Sequence, residues 1–489
     1  MFKFTENTRA NIRHPTMKNT AILILIASSI ALISCQPDDT NNVPRDVRIT
    51  DFVWKGMNLY YLWQENVPDL ADDRFANQSE LNAWLAERNE PLSLFNNLRV
   101  DTSFDRFSVI YSDYRILEGV LSGTTGNNGV DFGLRYKQGS TTDIFGWVRY
   151  ILPNSDASTK DIHRGDIFYA INGIPLTAAN YRELLSAPSY TVNLADYNNG
   201  NITPNGESVT LNKAVYSENP VYEQDVFAVG GHKIGYLMYN GFYPNYDNTL
   251  NQAFGQLRAE NITDLVLDLR YNSGGSIQTA TYLASMITGQ FSGQVFAKEQ
   301  WNDKLMAYWN ENNSEALINR FTNAIEGGSA INKLNLNTVY ILTSTSTASA
   351  SELVISCLKP YVNVVQIGDV TTGKNVGSVT LYDSPSFEKR GADQSHYYAM
   401  QPIVLKVVDK NGFGDYASGL VPNHPFVEDL GDLGVLGNTE EPLLAAAIAV
   451  ITGSGRISES GPSRIFLPFK DSKSIDGLRD QMYTNRLPR

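Results

Sequence analysis

Residues 338–358 read TVYILTSTSTASASELVISCL, and this stretch decides the fold class of the chain. Residues 338–342 are apolar or β-branched, as expected of a strand that is buried on both faces. A Ser/Thr-rich turn follows, and residues 350–358 then predict a helix that ends before a Lys-Pro pair. The stretch therefore predicts a strand, a turn and a helix, which is the unit from which α/β folds are built.

The same rhythm recurs on both sides of this stretch. Residues 265–269 and 362–367 predict two more buried strands, and residues 277–286 predict a helix between the first of them and residue 338. A last apolar helix is predicted at 441–451. We therefore predict an α/β core with a partly parallel sheet over residues 226–455.

A smaller helical domain is predicted in front, over residues 48–120. Val53, Met57, Tyr60 and Tyr61 recur at helical spacing, which is typical of a core-facing stripe rather than a ligand site. A second helix is expected at 81–88.

A β-rich domain is predicted between these two, over residues 121–225. An Asn-Gly pair within 164–176 joins two strand patterns and predicts a tight hairpin. The pattern R-G-D-x-[IF]-x-x-[IV]-N-G resembles a PDZ domain, in which a peptide adds as an extra strand at a sheet edge. A β-barrel insert without a peptide function is the alternative. The resemblance implies that backbone N–H groups around three residues hold the peptide carboxylate: Phe132, Gly133 and Leu134.

The charge balance excludes one class of partner. The 489 residues carry a formal net charge of −13, so the chain would repel the phosphate backbone of a nucleic acid. We expect no nucleic-acid partner. The sequence also shows no period of 20–50 residues, which excludes a repeat array.

The N-terminus resembles a bacterial lipoprotein signal. Residues 1–34 contain an apolar run too short to span a membrane comfortably, and it ends in Leu-Ile-Ser just before Cys35. We expect Cys35 to carry the lipid, residues 35–47 to form a flexible tether, and Cys357 to be a free, buried thiol. The protein would then sit in the cell envelope, anchored to the outer membrane and facing the periplasm or the cell surface. Residues 456–489 are expected to form a loosely packed tail.

Ser349 is the candidate nucleophile, because it opens the helix at 350–358. Its side chain is expected in the cleft at the carboxyl end of a strand, where free helix N–H groups face the same point. The N–H of Ala350 is then a candidate donor to a developing oxyanion. Glu352 lies in the first helical turn, where it suits the helix dipole and is a possible orienting residue.

Lys374 lies in the loop 368–375, which follows the next strand and should therefore meet Ser349 at the same sheet edge. A neutral lysine can activate a serine, which requires burial to lower its pKa from about 10.4 toward 7 or 8. A third loop contains Gly274 and Gly275, whose backbone can approach a substrate carbonyl and supply a second oxyanion donor.

Together these loops resemble the carboxyl-terminal processing peptidases, a family of Ser/Lys serine endopeptidases with a PDZ domain before the protease core. The family pattern is D-L-R-x-N-x-G-G, S-A-S-A-S-E and G-K, with the lysine 25 residues after the serine, as it is here. The resemblance implies Ser349 as nucleophile, Lys374 as base, and polypeptide substrates that are unfolded or recognised by their C-termini. It implies no cofactor and no metal. Ser378 stands where many members have a glutamine that orients the lysine, and it is a candidate for that role with a shorter side chain.

Three rival hypotheses remain. Residues 368–375 nearly match a phosphate-binding P-loop, but Asn375 replaces its hydroxyl residue. A Ser/His/Asp triad would need His396 or His424, and neither has a recognisable catalytic setting. A catalytically inactive, peptide-binding lipoprotein on the same scaffold is the non-enzyme alternative.

Overall fold

The computed structural model describes residues 43–454, 466–475 and 480–487. The predicted signal peptide, Cys35 and most of the predicted tether lie outside the described residues. No helix in the described ranges is long and apolar enough to cross a membrane.

The first part of the described chain is mainly helical, as predicted. Val53, Met57, Tyr60 and Tyr61 are all buried, so the aromatic stripe does face the core. Val47 is also buried, so the packed chain begins before the predicted boundary at residue 48. The elements are α1 (Arg48–Tyr60), α2 (Gln78–Ala86), α3 (Pro91–Asn97), β1 (Val109–Tyr111) and α4 (Tyr114–Leu121).

A β-rich region follows, and it contains the predicted hairpin. Asn172 and Gly173 have φ values of 51° and 78°, as a two-residue hairpin turn requires, and the register pairs Ile171 with Ile174. The elements are β2 (Thr124–Asn127), β3 (Val130–Tyr136), β4 (Ile144–Ile151), β5 (Ile167–Ile171), β6 (Ile174–Pro175), α5 (Tyr181–Ser186), β7 (Ser189–Asn198), β8 (Asn201–Asn212) and β9 (Ala214–Ser217).

The rest of the chain up to residue 454 is α/β, and the predicted fold class is confirmed. Its elements are β10 (Val221–Val229), β11 (His232–Tyr239), α6 (Asp247–Ala259), β12 (Asp264–Asp268), β13 (Gly275–Ser276), α7 (Ile277–Thr288), β14 (Val295–Trp301), α8 (Asp303–Asn312), β15 (Ile318–Arg320), β16 (Thr338–Thr343), α9 (Ala350–Leu358), β17 (Asn363–Gly368), β18 (Val376–Ser378), β19 (Leu381–Tyr382), β20 (Ala399–Gln401), β21 (Ile403–Val408), β22 (His424–Pro425) and α10 (Pro442–Thr452).

The central sheet has the strand order β10-β11-β12-β16-β17-β22. All its pairs are parallel except β10 with β11. Within β12, Leu265 and Leu267 pack into the core that includes α7 and α9, whereas Val266 packs into the core that includes α10. Both faces are therefore covered by helices, which explains the continuous apolar runs of these strands.

The tail packs far more closely than the sequence suggested, and that prediction is wrong. Residues 468–471 form β23 and residues 482–483 form β24. β23 adds to the edge of β3, and β24 lies between β13 and β18 in a second sheet. Open strand edges offer unpaired N–H and C=O groups, which is why even a polar segment can be held there.

Candidate active site

Ser349 lies between the carboxyl end of β16 and the first residue of α9, as predicted. Its side chain is completely buried, and its φ is 65°, a value that costs a non-glycine residue free energy. The backbone conformation at this strand-to-helix junction therefore fixes the position of the Ser349 hydroxyl. The Ser349 Oγ makes no hydrogen bond within the described part of the chain.

Lys374 follows β17, the strand next to β16, and its side chain is also completely buried. Burial lowers the pKa of the Lys374 amine to about 7, although the carboxylates of Asp480, Asp105 and Glu352 act in the opposite direction. The Nζ atom lies 4.6 Å from the ring centre of Phe107. Removal from water, rather than a cationic neighbour, is thus the main reason why this amine can be neutral near pH 7.

No hydrogen bond joins Ser349 Oγ to Lys374 Nζ, since neither atom has a hydrogen-bond partner among the described residues. The two loops are nevertheless tied together through their backbones. Glu352 Oε2 accepts the N–H groups of both Ser349 and Lys374, each at 2.8 Å. The sequence assigned Glu352 to the helix dipole, and only the structure shows that it links the two loops.

Glu352 is held in turn by further donors. Its Oε1 accepts the N–H of Gly373 at 2.7 Å and the hydroxyl of Thr371. Burial raises the pKa of the Glu352 carboxyl, and these hydrogen bonds act in the opposite direction. Each of the four bonds is made to an oxygen lone pair, so the carboxylate fits this position and a donor group would not.

Gly274 and Gly275 follow β12, and Asn272 fixes the loop that carries them. Asn272 Oδ1 accepts the N–H of Gly274 at 2.8 Å, and the carbonyl of Asn272 accepts the N–H of Ala348 at 3.1 Å. The N–H of Gly274 is therefore already used inside the loop. Gly275 and Ala350 remain as the candidate oxyanion donors.

Ser378 does not orient the lysine amine, so that prediction is wrong. Its hydroxyl lies 3.2 Å from both Gln401 Oε1 and the carbonyl oxygen of Met482. Because Ser378 sits within β18, its side chain reaches the neighbouring strands rather than Lys374. No sequence signal marked Gln401, which is completely buried beside it.

Phe132, Gly133 and Leu134 do not form the predicted nest of N–H groups. They lie in the middle of the extended strand β3, which is paired with β4 on one side and with β23 on the other. Backbone N–H groups of a strand paired on both sides are directed into the ladders and cannot converge on a carboxylate. The peptide edge predicted for this region is occupied by the chain's own residues 468–471.

A cavity connects this β-rich region with the glycine loop. It has an empty volume of about 1030 Å³, including its opening to solvent, and neither Ser349 nor Lys374 lines it. Its walls include Phe132, Leu185, Gly274, Gly275 and Gln481. The loop with Gly274 and Gly275 and the part of β3 with Phe132 therefore line the same cavity.

No Ser/His/Asp triad is built at Ser349 in the described ranges, and the P-loop-like residues 368–375 lead into β18 rather than into a helix. In ranges 43–454, 466–475 and 480–487, no histidine is hydrogen-bonded to Ser349 Oγ. His396 instead bonds to Asp383 at 2.9 Å. These two residues and Asp393 form the one group with metal-ligand spacing in the described ranges, and it includes no candidate site residue.

Comparisons with known proteins find similarity to one family of peptidases. Residues 233–387 match Peptidase family S41, and residues 48–109 match the Peptidase S41 N-terminal domain. The chain is 25% identical over 398 residues to carboxyl-terminal-processing peptidase 2, chloroplastic, from Arabidopsis thaliana, covering 76% of this chain and 69% of that protein. It is 24% identical over 313 residues to the carboxyl-terminal-processing protease of Picosynechococcus sp. (strain ATCC 27264 / PCC 7002 / PR-6), covering 63% and 67%.

The fold is also similar to that of a solved protein structure. A crystal structure from Bacteroides fragilis NCTC 9343, whose protein is assigned to the S41 proteases, is 27% identical with a TM-score of 0.62. The alignment covers 83% of this chain and 98% of that one. The similarity therefore extends well beyond residues 233–387, which match the family model.

Proposed function

The chain belongs to peptidase family S41 and is a serine-type peptidase, and from this premise we propose that it cuts polypeptides with Ser349 as nucleophile and Lys374 as general base. The observation that carries the proposal is the buried amine: a lysine with its pKa near 7 lies at the end of the strand next to the serine. A shift of three to four pKa units means that the site disfavours the charged amine by about 4–5 kcal/mol. Strongly shifted pKa values of this kind cluster at functional sites.

The proposed reaction is acyl transfer through Ser349. The neutral Lys374 amine takes the Ser349 proton as the oxygen attacks the substrate carbonyl, and it then delivers that proton to the leaving amine. The N–H groups of Gly275 and Ala350 stabilise the oxyanion. Water then hydrolyses the acyl-enzyme. A movement of side chains must bring Oγ and Nζ into hydrogen-bond contact before the proton is transferred.

The proposed substrates are exported polypeptides that are unfolded or have exposed C-termini. We propose that Cys35 carries a lipid that anchors the enzyme to the cell envelope, on the basis of the sequence before it. A Cys35→Ala variant should then move from the membrane fraction to the soluble fraction. If that variant stays in the membrane fraction, the anchor proposal fails.

Cleavage of casein by purified protein tests the chemistry. Ser349→Ala and Lys374→Met should each lower kcat/KM by at least about a thousandfold, because nucleophile and base act as one unit. Ser208→Ala and Lys406→Ala, at exposed positions, are the matched controls and should keep the wild-type rate. Retained turnover in Ser349→Ala or Lys374→Met would exclude the dyad. An inactive wild type that still binds peptide would favour the non-catalytic alternative.

A further inference from the structure

The catalytic pair cannot be reached from solvent in this arrangement. Ser349 and Lys374 are both 0% exposed, so an external peptide has no path to the hydroxyl until some part of the chain moves. Gln481 lies beside Ser349 and belongs to the tail segment, which we define as residues 466–475 and 480–487. Its contacts resemble those of a bound peptide.

The first part of the tail segment fills the edge of β3. Strand β23 runs antiparallel to β3, with Lys470 opposite Leu134 and Asp471 opposite Gly133. The ring of Phe469 packs 5.0 Å from Tyr136 and 5.1 Å from Tyr181 of α5. The tail thus adds a strand between β3 and a helix, which is how β-augmentation holds a peptide.

Buried polar contacts fix the end of this strand. Arg149 lies 3.3 Å from the Asp471 carboxylate and 3.5 Å from that of Asp131, and all three side chains are buried. The Ser472 hydroxyl donates to Asp131 at 2.7 Å. Such contacts select one register for the tail, whereas a non-specific cover would be held by apolar contact alone.

The second part of the tail segment lies across the oxyanion loop. Strand β24 pairs in parallel with β13, with Met482 opposite Gly275, and with β18, with Tyr483 opposite Ser378. The N–H of Thr484 donates to the carbonyl of Ser378 at 3.1 Å. The tail therefore enters the sheet that carries the candidate oxyanion donor.

The carbonyl of Gln481 lies at the candidate oxyanion hole. A Cβ atom placed on Gly274 would lie 2.5 Å from the carbonyl oxygen of Gln481 and 2.6 Å from the Cβ of Ser349. The backbone nitrogen of Ala350 lies 3.0 Å from the same point. All three atoms therefore lie within 3.0 Å of the Cβ position of Gly274, which places the Gln481 carbonyl beside the candidate nucleophile and a candidate oxyanion donor.

We propose that the chain is its own substrate and that the Gln481–Met482 peptide bond is a self-cleavage site. This inference rests on the proposed function, because it uses the same serine and lysine. A bond forms between Ser349 Oγ and the Gln481 carbonyl carbon, and the bond from that carbon to the Met482 nitrogen breaks. The Ser349 proton passes through Lys374 to the Met482 nitrogen, and water then hydrolyses the ester at Gln481.

Cleavage at this bond releases the strand that covers the site. The fragment from Met482 onward is held by the short strand β24, by the Tyr483 hydroxyl on the carbonyl of Leu121 and by Arg486 on the carbonyl of Ala316. All of these contacts are non-covalent, so the fragment is free to dissociate once the peptide bond is cut. The amine of Met482 and the carboxylate of Gln481 are then separate ends. The self-cleavage thereby opens the cleft to other polypeptides.

Intact-mass measurement of the purified full chain tests the proposal. Wild-type protein incubated at pH 8 should lose the residues from Met482 onward, and a peptide that begins at Met482 should appear. Ser349→Ala should retain these residues. Because the tail is docked in the same molecule, the rate constant should not change on tenfold dilution.

A pair of variants tests the docking step. Phe469→Asp places a charge between the Tyr136 and Tyr181 rings and should slow self-cleavage at least tenfold. Leu467→Asp is the matched control, because the Leu467 side chain is 66% exposed, and it should be cut at the wild-type rate. Equal rates in these two variants would overturn the docking that the proposal requires.

Casein cleavage in the same samples separates the two proposals. Wild-type protein that cuts casein but keeps the residues beyond Gln481, or is cut at another bond, would overturn the self-cleavage site and leave the proposed function standing. Loss of the same residues in Ser349→Ala would overturn it too, since another protease would be responsible. Failure of both reactions in the wild type would overturn both proposals.

Discussion

Lys374 shows how burial can favour the neutral form of a lysine amine near pH 7. Its amine is surrounded by protein and faces the ring of Phe107, so the charged form loses its hydration. Asp480, Asp105 and Glu352 compensate only in part. The proposed activation of Ser349 depends on the lowering of the Lys374 pKa that remains.

The lysine pKa sets a testable pH profile. Because the base must be neutral, kcat/KM for a peptide substrate should rise with pH and level off above a midpoint near 7, the pKa of Lys374. Initial rates between pH 5 and 9 measure it. A flat profile, or a midpoint near the usual lysine value, would contradict the assignment of Lys374 as base.

Glu352 is expected to act as a positioning residue. Glu352→Gln replaces one acceptor oxygen by an NH2 group that faces N–H donors, which should displace the serine and lysine loops from each other. We expect kcat to fall about a hundredfold with little change in KM, since such displacements act on the reacting geometry. Steady-state kinetics measure both constants.

The control for this substitution is Glu440→Gln at an exposed position, which should keep wild-type kcat. A Glu352→Gln enzyme with wild-type kcat would show that the link between the two loops is not needed for catalysis.

At the scale of elements, three consecutive strand ends of the central sheet supply the site. β12 is followed by the glycine loop, β16 by the serine and β17 by the lysine. Parallel pairing of β12 with β16 and of β16 with β17 brings these loops to one edge. Where these loops meet, the backbone of one segment lies too close to the next for a side chain to fit between them.

Gly275 is the position where that need is greatest. Its φ is 141°, and a Cβ there would lie 2.3 Å from the carbonyl oxygen of Phe242. Gly275→Ala should therefore abolish casein cleavage and lower the free energy of unfolding by about 2–4 kcal/mol, from overpacking and backbone strain. Urea unfolding measures the second effect.

Gly139→Ala provides the matched comparison, because Gly139 also has a positive φ, 74°, but no atom within 4 Å of its Cβ position. Gly139→Ala should lower the free energy of unfolding by about 1 kcal/mol and leave casein cleavage unchanged. If both substitutions lower the free energy of unfolding equally, the positive φ alone determines the loss, and the close approach of Gly275 to Phe242 does not contribute.

At the scale of the whole molecule, Arg270 joins parts of the chain that are distant in sequence. It is completely buried and pairs with Asp268, Glu428 and Glu441, the residue that caps α10. Burial alone would raise the pKa of Glu428, but Arg270 and Arg164 hold it at about 2. One guanidinium thus ties the glycine loop to the last helix.

Loss of this cation should destabilise the fold strongly. Arg270→Met leaves buried carboxylates without their partner and should lower the free energy of unfolding by about 3–5 kcal/mol. Arg320→Met removes a surface ion pair with Glu315 and should lower the free energy of unfolding by less than about 1 kcal/mol. Thermal and urea unfolding of both variants compare them, and similar losses would contradict a special role for Arg270.

The sequence was sufficient to predict the α/β core, because each strand and helix there has its own local hydrophobic period. It also predicted that Ser349, Lys374 and the Gly274–Gly275 pair follow strands, since spacing along the chain places them there. The hairpin at Asn172 and Gly173 was predictable for the same local reason.

Only the tertiary structure decided how these parts meet. The depth of Lys374, the link through Glu352, the orientation of Ser378 away from the lysine and the docking of the tail each depend on residues far apart in the sequence. β23 and β3, for example, are separated by more than 300 residues. A polar segment carries no local signal for the open edge it will fill, because the free energy of that pairing comes from a partner strand that exists only after the rest has folded.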